Sequence, residues 1–141
     1  MRIAVDAMGG DYAPQNVVAG AVDALRSFGK IQKLYLVGNQ TRVETELQKH
    51  SVADARIQVV HASEVIEMDD PPVQSVRRKK DSSMTRAIDL VKGGEADAIV
   101  SAGNTGALLT AAHLKLRTLE GVDRPGLACL IPAPDNVFVL M

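Results

Sequence analysis

The sequence predicts an α/β fold: a mainly parallel sheet with helices on both faces, a Rossmann-like three-layer sandwich. Three observations carry that expectation. Short β-rich runs alternate with helical patterns along the chain. The strand runs are continuously apolar, as suits strands covered on both faces. One of them, Ala98-Ile99-Val100, leads straight into a small-residue turn, Ser101-Ala102-Gly103-Asn104-Thr105-Gly106-Ala107, which opens an apolar stretch from Leu108 to Leu116.

Residues 2–6 read as the first strand. Residues 14–28 read as a helix, with Val17, Val18, Ala21, Val22, Leu25 and Phe28 on one face, Pro14 in the first turn and Gly29 past the end. Residues 33–37 form a second strand, 41–49 a short helix with Val43 and Leu47 one turn apart, and 57–61 a third strand, giving the order βαβαβ. Helical patterns at 73–80 and 84–92 follow, the second with Met84, Ala87, Ile88 and Val91 in helical register and a stop at Gly93-Gly94. Residues 98–101 are the next strand, and 107–116 a mostly apolar helix that should be buried. Residues 127–131 and 137–141 are expected to be two more strands.

At 141 residues the chain is about one domain long. It closes on Val137-Phe138-Val139-Leu140-Met141 without a turn or polar tail, so residues 1–141 are expected to be the N-terminal part of a single α/β domain that continues. Sixteen basic residues against 17 acidic ones, with few aromatics, argue against a nucleic-acid partner. The one cysteine, Cys129, lies in an apolar run and suits a packed structural thiol in a reducing cytoplasm. No run approaches the ~20 apolar residues of a membrane span. The histidines have no metal-ligand spacing, and no nucleophile elbow is present.

The turn at 101–107 suits an anion. Its glycines admit close approach, and the following helix offers N–H groups without intrahelical partners at the positive end of its dipole. It carries neither the Lys-Ser/Thr of a Walker loop nor the three-glycine dinucleotide spacing. The alternative is a tight connection in which Asn104 or Thr105 is an N-cap. In a parallel sheet the loop after the first strand, Asp6-Ala7-Met8-Gly9-Gly10-Asp11, emerges at the same edge, where ligands bind. Asp6 and Asp11 could anchor an arginine, ligate Mg²⁺, or accept hydrogen bonds from loop amides. Arg77-Arg78-Lys79-Lys80 supply cations, but at ~100° per helical residue no more than two face one ligand. The acidic loop with Glu64, Glu67, Asp69 and Asp70 ends at Pro71-Pro72, which starts that basic helix.

Residues 1–14, the Glu64-Val65-Ile66-Glu67-Met68-Asp69-Asp70-Pro71-Pro72 loop, residues 78–84 and residues 101–108 together resemble the bacterial phosphate acyltransferases of phospholipid synthesis, the PlsX family. The resemblance runs through essentially the whole chain, in order. It implies a fold akin to phosphotransacetylases and isocitrate-type dehydrogenases. It implies transfer of a fatty acyl group from acyl carrier protein to inorganic phosphate; no cofactor and no metal-ligating residue is named. A membrane glycerol-phosphate acyltransferase would consume the acyl phosphate, and the enzyme would be a cytoplasmic homodimer associated peripherally with the membrane. On that basis Asn104, Thr105 and Arg78 are the expected catalytic residues. Gly103, Gly106, Ser101, Lys80, Ser82, Ser83, Asp6, Gly9, Gly10 and Asp11 are the expected phosphate or substrate contacts. The remaining basic residues could instead guide the carrier. Competing readings are a phosphotransacetylase-like transferase using acyl-CoA, a dehydrogenase, disfavoured by the missing fingerprint, and a non-catalytic anion or acyl-carrier binding fragment.

Overall fold

The computed structural model describes residues 1–140. Four parallel strands form one sheet: β1 (Arg2–Asp6), β2 (Lys33–Gly38), β3 (Ile57–His61) and β4 (Ala98–Val100), in the spatial order β3-β2-β1-β4. The connections are α1 (Gln15–Ser27), α2 (Gln40–Lys49), α3 (Pro72–Arg78) and α4 (Ser83–Lys92), and α5 (Thr105–Leu116) follows β4. From β1 the chain winds outward to β2 and β3, then crosses back to place β4 on the other side of β1. The strand order therefore reverses between β1 and β4, the position at which open α/β sheets form a ligand crevice.

Strand alternation separates two cores. Val5, Leu34 and Leu36 point to the face covered by α1 and α2, where Val18, Leu25 and Val43 pack. Ala4, Tyr35 and Val37 point to the other face, under Ala87 of α4. A third cluster, Ile66, Val76, Met84, Ile88, Ala107 and Ala111, joins α3, α4 and α5. The expected three-layer α/β arrangement is therefore present.

Three local expectations change. Residues 129–133 and 136–140 form an antiparallel hairpin, β5 (Cys129–Ala133) and β6 (Asn136–Leu140), which among the described residues pair only with each other. The two residues between them, Pro134 and Asp135, can join antiparallel strands, whereas a parallel pair needs a crossover of a dozen or more residues. The expected continuation to Met141 lies outside the described residues. Cys129 is exposed on this hairpin rather than packed. Helix α5 is only partly buried: Ala107 and Ala111 are covered, while Leu114 is 53% exposed. Its apolar residues are spread around the helix, so no single buried stripe forms.

Candidate active site

The β1 and β4 ends are held in register, with Val5 opposite Val100. The next residue on each strand is polar, and the two meet: the Ser101 hydroxyl donates to Asp6 Oδ2 at 2.7 Å. Asp6 is buried, and its other oxygen accepts the Met8 N–H at 3.2 Å. Ser101 Oγ in turn accepts the Gly103 N–H at 3.1 Å. Of the three roles open to Asp6 from sequence, the geometry gives it acceptance from a loop amide and adds the Ser101 hydroxyl.

The two turns touch through backbone. A Cβ on Gly9 would lie 2.7 Å from Asp6 Oδ2 and 2.8 Å from Gly103 N, closer than side chains pack. Gly10 has φ of +102°, a conformation open to glycine at little cost. Asp11 is exposed and lines a cleft with Arg42 and Glu46 of α2.

Asn104 caps α5, its Oδ1 accepting the Ala107 N–H at 3.0 Å. Its Nδ2 faces the carbonyls of Glu67, Met68 and Asp70 at 3.2, 3.1 and 3.0 Å. An amide has two N–H donors, so these three acceptors leave none for a ligand. In this arrangement the residue fastens the acidic loop to the turn. Thr105 and Gly106 occupy the first two helical positions, and among the described residues their N–H groups have no protein acceptor. Thr105 is exposed. Gly106 packs beneath α3, where an added Cβ would meet Pro72 Cγ at 2.8 Å.

The basic run splits. Helix α3 ends at Arg78, and Lys79 leaves it, its Nζ bonded to the Val65 carbonyl at 2.8 Å and paired with Asp70. That contact, with the Glu67 N–H, holds the Asp70 carboxyl below the usual range. Arg78 lines a cleft of about 450 Å³ with Glu64, Asp70 and Gln74. Lys80 and Arg77 line a different cleft, beside Asp89 and Lys115. Arg78 and Lys80 therefore line separate clefts. Among the described residues Arg77, Arg78 and Lys80 enter no ion pair.

Ser82 and Ser83 are buried. The Ser82 Oγ caps α4 by accepting the Thr85 N–H and donates to Thr85 Oγ1 at 2.8 Å, so its hydroxyl is occupied inside the fold. Ser83 N–H bonds to the Glu64 carbonyl at 3.1 Å. Asp81 receives both the hydroxyl and the N–H of Ser63, which, with Arg86 nearby, lowers its carboxyl. Lys79 belongs to the basic run and Asp70 to the acidic loop that the sequence marks, but no local spacing marks them as a pair that closes across α3.

The sequence matches a family described as "Fatty acid synthesis protein" over residues 1–141. The chain belongs to that family. Similar members are named phosphate acyltransferase. One from Geobacter sulfurreducens is 52% identical over 132 residues, covering 94% of this chain and 38% of the relative. Another, from Alkaliphilus oremlandii, is 48% identical over 141 residues, covering all of this chain and 42% of the relative. This family member thus spans about two-fifths of the length of those relatives. Among solved structures, the EutD phosphotransacetylase from Staphylococcus aureus shares the fold, with a TM-score of 0.62 and 22% identity, over 99% of this chain and 44% of that one.

Proposed function

We propose that this protein belongs to an enzyme that moves a fatty acyl group from acyl carrier protein to inorganic phosphate, releasing acyl phosphate for phospholipid synthesis. The observation that carries the reading is the α5 turn. It offers the unpaired N–H groups of Thr105 and Gly106 at the strand-order reversal, in a chain of a family whose relatives are named phosphate acyltransferase.

Phosphate is anionic at neutral pH and is itself the nucleophile, so the reaction needs no activated Ser or Cys. A phosphate oxygen attacks the thioester carbonyl carbon, the C–O bond forms, and the carbonyl π pair moves onto oxygen. Collapse of that oxyanion breaks the C–S bond, and the carrier leaves as thiolate with the bonding pair. A thiol of pKa ~8.5 makes this departure easy without strong acid assistance. What the protein contributes is position and field. The N–H groups of Thr105 and Gly106 and the α5 dipole hold the dianion or the developing oxyanion. Arg78, on the helix packed against α5, adds positive charge, and Gly9 and Gly10 close the neighbouring wall. Asn104, Ser82 and Ser83 hold these parts in place.

In this proposal the product passes to a membrane glycerol-phosphate acyltransferase, and the enzyme works as a homodimer at the cytoplasmic face of the membrane. Among the described residues no helix is long and apolar enough to cross a membrane. The test is phosphate-dependent release of free carrier thiol from acyl carrier protein by the full-length protein, with acyl-CoA offered in parallel. Release from the carrier, stoichiometric with acyl phosphate, supports the reading. Turnover of acyl-CoA alone makes it a phosphotransacetylase, and no turnover makes it a binding module.

A further inference from the structure

We propose that Asp6 is a positioning residue, acting through Ser101 to fix the anion-binding turn; the inference rests on the acyltransferase reading above for its effect on phosphate. The structure supplies a three-member relay: the Met8 N–H and the Ser101 hydroxyl both donate to Asp6, and the Gly103 N–H donates to Ser101 Oγ. A serine hydroxyl rotates freely and has one proton and two lone pairs. With its proton held by Asp6 Oδ2, its lone pair is turned toward Gly103. That bond fixes the backbone immediately before Asn104, the residue from which α5 and its unpaired N–H groups start.

The arrangement demands two acceptor oxygens at position 6. An asparagine there presents one oxygen and one NH₂. If the oxygen faces Ser101, the NH₂ opposes the Met8 N–H; if the oxygen faces Met8, the NH₂ displaces the Ser101 proton. Either way one of the two donors loses the oxygen that Asp6 gives it, the Met8 N–H in the first case and the Ser101 hydroxyl in the second. The fit also explains why Gly9 cannot carry a side chain. Its Cβ would intrude among Asp6 Oδ2, Gly103 N and Ser101 Oγ, the three atoms of the relay. Asp6 itself touches no reacting atom in this scheme.

The experiment uses the full-length protein and the variants Asp6→Asn, Ser101→Ala, Ser101→Thr and the Asp6→Asn/Ser101→Ala double. Two readouts are taken: KM for phosphate against kcat, and hydrogen exchange of the Gly103 amide. Asp6→Asn and Ser101→Ala should each raise the phosphate KM about tenfold, with kcat falling less, and speed Gly103 exchange by a similar factor. The double variant should be no worse than the poorer single, because both break one relay. Ser101→Thr, which keeps the hydroxyl, should retain both properties.

Unchanged Gly103 exchange in Ser101→Ala overturns the proposal, as does full additivity in the double variant. If Asp6→Asn does not fold, the contrast between Ser101→Ala and Ser101→Thr still tests the arm through which Asp6 acts, and equal Gly103 exchange in the two overturns the proposal. A wild-type protein that makes no acyl phosphate, yet shows the Gly103 response, upholds the relay and removes the acyltransferase reading.

Discussion

Asn104 and Asp70 are joined across 34 residues, the side-chain N–H of one donating to the backbone carbonyl of the other at 3.0 Å. The same side chain caps α5 through its oxygen. One buried residue therefore ties the acidic loop to the turn that opens α5, and asparagine alone supplies an acceptor and two donors in that shape.

Replacing Asn104 by aspartate should be worse than replacing it by alanine. Aspartate keeps the cap but turns a charged oxygen toward three carbonyls, whereas alanine loses the cap and leaves the carbonyls without that donor, at a cost of about 1–3 kcal/mol. Urea unfolding of the full-length protein measures the order, and limited proteolysis near residues 64–71 reports whether the loop has come loose. An aspartate variant as stable as wild type contradicts the role.

Gly9→Ala should damage the site, whereas Gly20→Ala should not. The added methyl at Gly9 meets backbone and a buried carboxyl below 3.0 Å, an overpacking expected to cost about 1–3 kcal/mol and to raise the phosphate KM. At Gly20, within α1, nothing lies within 4 Å, and alanine should stabilise the helix by about 0.4–1 kcal/mol. Thermal melts and phosphate kinetics on both variants make the comparison.

Separate clefts for Arg78 and Lys80 predict separable phenotypes. Arg78→Ala should raise the KM for phosphate, while Lys80→Ala should alter the KM for acyl carrier protein and its salt dependence. The same salt-sensitive defect in both variants would place Arg78 on the carrier surface.

Acid should remove a specific support of the fold. Arg56 reaches the carbonyls of Leu25 and Ile31 and is held by Asp54, whose carboxyl is lowered to about 2, first by the hydrogen bond from the Arg56 side chain and then by its N–H. The unfolded carboxyl titrates near ~3.9. Folded affinity for the proton is the lower of the two, so the stabilisation is complete above that unfolded value and disappears as pH falls through about 2. The destabilisation caused by Asp54→Asn, measured by urea unfolding, should accordingly shrink between neutral pH and the acid end of that window. A constant difference would mean that the pair contributes through shape rather than charge.

Much of the fold was legible because its signals are local. Val18, Ala21, Val22 and Leu25 lie on one face of α1, and Val5, Leu34 and Leu36 belong to continuous strand runs, so both element types announced themselves. The apolar runs at 127–131 and 137–141 mark two strands, but apolar character alone does not give their direction; the antiparallel pairing follows from the strand bounds, which leave only Pro134 and Asp135 between them. The small-residue turn and the Asp6 loop were legible as glycine-rich strand exits. Their mutual contact was not, since it depends on β4 returning beside β1, a fact of topology rather than of spacing. The pairing of Lys79 with Asp70 and the grip of Asn104 on three carbonyls were hidden for the same reason: their partners are brought by packing of α3 on α5.

The most direct test of phosphate binding at the α5 turn uses arsenate, a close mimic of phosphate with a strong anomalous signal. Crystals of the full-length protein soaked in arsenate should show a peak within hydrogen-bond distance of the Thr105 and Gly106 N–H groups, displaced by added phosphate. A peak confined to the cleft of Arg77 and Lys80, or none on this turn at concentrations that support turnover, would contradict the account.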